Sequence, residues 1–186
     1  MTLPKLILLD RDGVINEERT GYVKSVEEFN FIPDSIQAIK QLSDAGIKLA
    51  IITNQGCIGR NLITMDQLEE IHQHLIKNLK QHHINLHKIY VCPDHPDFPT
   101  HRRKPNAGML LEAMSDLDVT PSETLMIGDD IRDLKAARAA GCAAHLVLTG
   151  HGTKTAVHEE FKNYTPVAVH ANLKAAAAFI LGENQN

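Results

Sequence analysis

Residues 6–16 read Leu6-Ile7-Leu8-Leu9-Asp10-Arg11-Asp12-Gly13-Val14-Ile15-Asn16. Four unbroken aliphatic residues are too few for a helix and predict a strand buried on both faces of a parallel sheet. In open α/β sheets the ligand crevice lies beyond the carboxyl ends of the strands. Asp10 and Asp12, followed by a glycine, therefore stand where chemistry is expected. A carboxylate can attack a phosphoryl group to give an aspartyl-phosphate, dividing one hard displacement into two easier ones. A second carboxylate can protonate the leaving oxygen and later deprotonate the attacking water. Two anions facing a phosphate repel it, so this chemistry calls for a divalent cation such as Mg²⁺. Asp and Gly are also common turn residues, and a plain turn after a strand accounts for Asp-x-Asp-Gly equally well. The rest of the chain decides between the two.

The same pattern recurs. Strand-like runs are predicted at 48–53, 88–92, 124–128 and 144–149, each separated from the next by a helical pattern. One helix opens after Pro33 and stops at Gly46; a second is capped by Thr64 and Gln67 and carries Leu68, Ile71, Leu75 and Leu79 on one face. Others are predicted at 108–117, at 131–140 before Gly141, and at 171–181. Strands alternating with helices imply a doubly wound, mostly parallel sheet with helices on both faces. The 186 residues are read as a single domain over 1–182 with a frayed tail at 183–186.

Composition narrows the function classes. Charged residues are 23%, aromatic residues 4%, and the net charge is −4 with no tryptophan, which gives no footprint of a nucleic-acid surface. No apolar run approaches a membrane span. No secretory signal pattern precedes the first strand, and three scattered cysteines make no disulfide framework, so a reducing cytoplasm is expected. A monomer is expected because no long apolar stripe is left over.

Polar residues gather at the strand ends. Thr53, Asn54 and Gln55 close the second strand, offering a hydroxyl and amides to phosphate oxygens, and Arg60 follows within reach as a charged donor. Arg102, Arg103 and Lys104 precede Pro105, and a lysine there can neutralise a transferring phosphoryl group. The strand at 124–128 runs into Asp129, Asp130 and Asp133, further carboxylates for a cation.

An Asp-x-Asp-Gly loop, a Thr after strand two, a Lys and a Gly-Asp-Asp loop together resemble the four motifs of the haloacid dehalogenase-like phosphatases. The likeness covers nearly the whole chain. It implies Asp10 as nucleophile and Asp12 as general acid and base. Thr53 and Lys104 would bind phosphate, and Mg²⁺ would be held by Asp10, the backbone carbonyl of Asp12, and Asp129, with Asp130 and Asp133 as further acids beside them. The short spacings from Asp10 to Thr53 and Thr53 to Lys104 leave no room for a large cap domain, so loops should shape an open site. Asp10–Asn16, Gly21-Tyr22-Val23, Cys92-Pro93 and Arg103-Lys104-Pro105 look like the subgroup of heptose 1,7-bisphosphate 7-phosphatases and histidinol-phosphate phosphatases. The segments Gly108–Leu111 and Leu148-Thr149-Gly150 lean to the heptose branch, which acts in the synthesis of lipopolysaccharide precursors. There, Arg60 and Arg103 would meet the end of a small phosphosugar that is not hydrolysed, and Asn54 and Gln55 would line the pocket. Histidinol phosphate is the alternative substrate, and a non-catalytic phosphosugar-binding protein the alternative class.

Members of this subgroup usually carry a zinc loop, Cys-x-His followed by Cys-x-Cys. Here Cys92, His95 and His101 supply at most three ligands, with Asp94 or Asp97 a poor fourth, and four prolines can stiffen the loop without metal. Zinc is not expected. Five further histidines, His72, His74, His82, His83 and His87, fall on or just after one helix and read as a solvated polar face.

Overall fold

The structure, a computed structural model, describes residues 3–164 and 167–183. The expected frayed tail lies largely outside them. Six parallel strands form one sheet in the order β3-β2-β1-β4-β5-β6. They are β1 (Leu6–Leu9), β2 (Lys48–Asn54), β3 (Leu86–Cys92), β4 (Thr124–Gly128), β5 (Ala143–Val147) and β6 (Ala168–His170). Helices α1 (Ser35–Asp44), α3 (Met65–Gln81) and α7 (Leu173–Leu181) cover one face, and α4 (Gly108–Asp116) and α5 (Ile131–Ala140) the other. Two short helices, α2 (Gly56–Gly59) and α6 (Gly152–Ala156), sit in the loops at the carboxyl end of the sheet.

All four residues of β1 are fully buried, which is why the strand reads as an unbroken apolar run. Ile7 and Leu9 pack with Ile39 and Leu42 of α1 and Leu68, Ile71 and Leu75 of α3. Leu6 and Leu8 point the other way, to Met109 and Leu110 of α4 and Ala136 and Ala137 of α5. Strand β1 pairs with both β2 and β4, Leu9 lying opposite Ile51 on one side and Ile127 on the other. The chain winds outward in opposite directions from this pair, so the crevice between the carboxyl ends of β1 and β4 is the topological switch point.

The doubly wound parallel architecture is the one expected. The fifth strand ends at Val147, so Leu148 and Thr149 belong to the loop at the sheet's end. The last helix begins at Leu173, with the Asn172 side chain capping it by accepting from Ala175 N at 2.9 Å. The three-residue β6 and the two short helices were too brief to leave a periodic signal.

At the start of α3, Thr64 Oγ1 accepts from Gln67 N at 3.2 Å while Gln67 Oε1 accepts from Thr64 N at 2.9 Å. Thr64→Ala should cost about 1 kcal/mol through loss of this cap. The expected outcome is a melting temperature lower by roughly 2–4 °C with turnover unchanged, read by calorimetry and a phosphate-release assay.

Candidate active site

The ends of β1 and β4 bring three carboxylates together. Ligand atoms of Asp10, Asp129 and Asp133 all lie within 4.8 Å of one another. Asp10 follows β1 and donates its backbone N–H to Ile127 O of β4. Asp129 follows β4 and is 1% exposed; its Oδ2 accepts from His151 N at 2.7 Å. Two glycines make room for it. A Cβ on Gly13 (φ +81°) or on Gly150 (φ +56°) would run into the Asp129 carboxylate. Both also hold positive φ, a region that side chains rarely adopt. Asp133, in the first turn of α5, is 1% exposed and its Oδ2 accepts from Asp130 N at 3.1 Å.

Lys104 is the cation among them. Its Nζ sits 3.0 Å from Asp10 Oδ1 and 2.7 Å from Asp133 Oδ1, and donates to Ile52 O at 2.9 Å. Burial works against the charged ammonium, yet Asp10 and Asp133 outweigh it and push Lys104 up to about 12. Asp10 moves the other way. Burial raises it, Lys104 opposes, and the neighbouring Asp133 and Asp12 help bring it to about 7. Burial and the proximity of Asp10 and Asp133 raise Asp129 well above the ordinary carboxylate range. One ammonium, paired with Asp10 and Asp133, thus serves a cluster of three carboxylates, and the residual negative charge fits a hard divalent cation with oxygen ligands.

Asp12 stands apart from this cluster. Its Oδ1 accepts from Arg11 Nη2 and Asn16 Nδ2, each at 2.9 Å; its Oδ2 accepts from Arg11 Nη2 at 2.9 Å and Gln55 Nε2 at 2.8 Å. Burial would raise Asp12, but the Arg11 charge and these hydrogen bonds hold it below the usual range. The two aspartates are thus pushed in opposite directions, Asp10 up by burial and neighbouring acids and Asp12 down by Arg11 and its hydrogen bonds.

Two cavities open above these groups. The inner one, about 80 Å³, is lined by Asp10, Asp12, Thr53, Asn54, Arg103, Lys104, Asp129, Asp130 and Asp133 among others. The outer, about 940 Å³, is lined by Arg19, Arg60 and Lys154 against Glu17, with Glu18, Tyr22, Arg132 and His151 shared between the two. The residues expected at the site are thus gathered, but several do other work. Gln55, 1% exposed, donates to Asp12 and, at 2.7 Å, to Thr53 Oγ1, so its amide is spent on the protein. The Asn54 amide donates to Lys104 O at 2.9 Å and accepts from Lys104 N at 3.1 Å, tying the lysine's backbone to the end of β2. Arg60 and Arg103, expected together at one end of the substrate, are divided: Arg103 lines the inner pocket, Arg60 the outer cleft. Arg102 pairs with Glu112 on α4 at 2.8 Å. Asp130 caps α5 and is gripped by Arg132, whose Nε and Nη2 donate to its two oxygens at 2.8 and 3.0 Å.

Arg11, Arg132 and His72 were not singled out by the sequence. Arg132 adjoins Asp130 in the motif and could have been read from it. His72 offered a subtler signal: it falls within the apolar stripe Leu68, Ile71, Leu75 and Leu79, and it is 4% exposed, so it does not belong to the solvated face.

The HAD-hydrolase-like family model matches residues 101–176. A D-glycero-beta-D-manno-heptose-1,7-bisphosphate 7-phosphatase of Neisseria meningitidis is 37% identical over 180 residues, covering 97% of this chain and 96% of its own. The corresponding protein of Pseudomonas aeruginosa is 41% identical over 150 residues, 81% of this chain and 84% of its own. The crystal structure of D,D-heptose 1,7-bisphosphate phosphatase from B. bronchiseptica, complexed with magnesium and phosphate, is 37% identical. It superposes with a TM-score of 0.91 over 96% of this chain and 99% of its own. The chain belongs to the haloacid dehalogenase-like phosphatases. Within that family it falls among the heptose bisphosphate phosphatases.

The zinc loop of this phosphatase group does not fit the residues present. Among the described residues, Asp10, Asp129 and Asp133 are the group of three or more candidate ligands close enough to share an ion, and Cys92, His95 and His101 form none. Cys92 is fully buried, and burial pushes its thiol up to about 11, away from the thiolate a metal needs. Protein contacts fasten the loop instead. Asp94 Oδ2 accepts from Thr100 N at 2.7 Å, Asn106 Nδ2 donates to Thr100 O at 2.9 Å, and Gly59 N donates to Pro93 O at 2.9 Å. Protein purified without added zinc should carry well under one equivalent by elemental analysis, and a zinc chelator should leave its melting temperature unchanged. A stoichiometric, stabilising zinc would contradict this.

Two buried histidines set an acid limit on stability. Burial, with the Arg11 charge beside it, lowers His72 to about 3; burial, with His170 beside it, lowers His145 to about 4. Each folds as the neutral form, while the unfolded chain takes up the proton below about pH 6.5. Their contribution is therefore intact above pH 6.5 and is lost as pH falls toward the folded values, by up to about 1.4 kcal/mol per pH unit for each group. In urea titrations between pH 6.5 and 4, His72→Gln should lose less stability per pH unit than the wild type.

Proposed function

We propose that the chain hydrolyses the 7-phosphate of a D-glycero-D-manno-heptose 1,7-bisphosphate through a phosphoryl group held transiently on Asp10. The observation that carries this is the pairing of a small pocket at the Asp10 carboxylate with a larger cleft beside it that Arg60 and Lys154 line. The pocket of about 80 Å³ suits a single phosphoryl group, whereas the cleft of about 940 Å³ leaves room for a sugar and a second phosphate. Arg132 is spent on Asp130 and Arg19 lies 3.6 Å from Glu28, so Arg60 and Lys154 are the cations left to favour a second phosphate there over the ammonium of histidinol phosphate. The relatives of known name in the heptose group support the same substrate.

In this reading the Asp10 carboxylate attacks phosphorus while the bond to the sugar oxygen breaks, and that oxygen takes a proton from Asp12. Asp12 rests ionised in the empty site. An arriving phosphate dianion raises its proton affinity by like-charge repulsion, so it enters the first step protonated. In the second step it removes a proton from the water that attacks the aspartyl-phosphate, and Asp10 is regenerated. Arg11, Asn16 and Gln55 stabilise the ionised form that this second step needs. Lys104 keeps Asp10 oriented, and Thr53 and Arg103 are placed to bind phosphoryl oxygens. Mg²⁺ would be held by Asp10 and Asp129 with Asp133 beside them, and would supply the positive charge that lets anionic oxygens approach the carboxylates.

Asp10→Asn should lower turnover by about 10³-fold or more, with the fold retained by circular dichroism. The two arginines should separate by substrate. A charge-assisted hydrogen bond contributes about 1.5–3 kcal/mol, so Arg103→Ala should lower kcat/KM by about tenfold to a hundredfold on the heptose bisphosphate and on a simple sugar monophosphate alike. Arg60→Ala should lower it chiefly on the bisphosphate. A higher kcat/KM for histidinol phosphate than for the heptose bisphosphate would reject the substrate.

A further inference from the structure

We propose that His72 is a positioning residue of the reaction, acting through Arg11 on the carboxylate of Asp12. Arg11 is 0% exposed although it lies between the two reactive aspartates in sequence. Its Nη2 bonds both oxygens of Asp12, its Nη1 lies 3.0 Å from His72 Nε2, and its Cζ sits 5.9 Å from the centre of the Phe29 ring. Its Nε finds no partner, so the orientation of this buried guanidinium rests on the contacts of Nη1 and Nη2. His72, fixed by its place on α3 between the core residues Leu68, Ile71 and Leu75, supplies the acceptor that points Nη2 at Asp12.

The chemical type matters. A carboxylate at this place would share the guanidinium charge and weaken its hold on Asp12. A neutral imidazole accepts the hydrogen bond and leaves Nη2 on both Asp12 oxygens, which holds the carboxyl in one orientation toward the leaving oxygen. This requires the proton on Nδ1 and the lone pair on Nε2, because an Nε2–H would oppose the guanidinium N–H. The inference rests on Asp12 as the acid and base proposed above.

Two measurements test it. Nitrogen NMR of the wild type reads the tautomer, and protonated Nδ1 is expected; protonated Nε2 would overturn the proposal. Leaving-group dependence reads the effect on chemistry. Proton donation contributes 10²–10⁴-fold to expulsion of an alcohol and little to expulsion of nitrophenolate. His72→Phe should lower kcat about tenfold on the sugar phosphate the wild type turns over best, with KM little changed. On p-nitrophenyl phosphate the loss should stay within about threefold, the contrast again following from acid catalysis. His72→Gln, which keeps an acceptor, should recover most of the loss. Equal losses on both substrates, with His72→Gln no better than His72→Phe, would reduce His72 to a packing residue and overturn the proposal. Asp12→Asn is the reference. If it shows the leaving-group contrast and His72→Phe does not, His72 fails while Asp12 stands; if Asp12→Asn shows none, the role of Asp12 fails and takes the proposal with it. Should His72→Phe not fold, His72→Met takes its place.

Discussion

Three carboxylates crowded at the end of a parallel sheet repel one another, and the site depends on how that repulsion is balanced. Asp10, Asp129 and Asp133 could not all ionise in this setting unaided, as the raised affinities of Asp10 and Asp129 for protons show. Lys104 balances part of the charge from within, at 2% exposure, with oxygens of Asp10, Asp133 and Ile52 all within 3.0 Å of its Nζ. The balance left over is negative, and it is what gives the site its affinity for a divalent cation. The fold serves this arrangement directly: β1 and β4 are neighbours only because the chain reverses its winding direction there.

Asp12 is governed by a different environment one residue beyond Arg11. Where Asp10 meets carboxylates, Asp12 meets a guanidinium and two amides, and its affinity for protons moves in the opposite direction. Two aspartates two positions apart are thus divided into unlike roles by what surrounds them, since the turn at Gly13 sends their side chains to different neighbours. Arg11 makes this possible at the cost of burying its own charge, which Asp12, His72 and the face of Phe29 offset together.

Loops at the carboxyl end of the sheet wall both cavities. The segment from Asn16 to Tyr22, the start of α6 with Lys154, and Arg60 after α2 wall the outer cleft, and the loop between β3 and α4 delivers Arg103 and Lys104 to the inner pocket. That last loop is held by close packing: Gly59 and Gly108 lie against the backbones of His95 and His101 so tightly that a side chain at either would collide. Hydrogen bonds around Asp94, Thr100 and Asn106 fasten the loop as well.

The sequence by itself determined the strands that end in carboxylates, the helix that begins at the Thr64–Gln67 cap, and the family motifs running from Asp10 to Asp133. These signals are local: an apolar run, a capping pair, a glycine after an acid. It left open, or assigned elsewhere, whatever depended on the partner a side chain finds across the fold. Gln55 and Asn54 were expected to line the pocket; Asn54 does so with its amide tied to Lys104, whereas the amide of Gln55 is turned to Asp12 and Thr53. His72 read as part of a polar face because four other histidines stand near it in sequence. Only the packing of α3 against β1 carries it 61 positions back along the chain to Arg11. The reason is physical: hydrogen-bond partners are chosen by distance in three dimensions, and composition and periodicity report only which face of its own element a residue occupies.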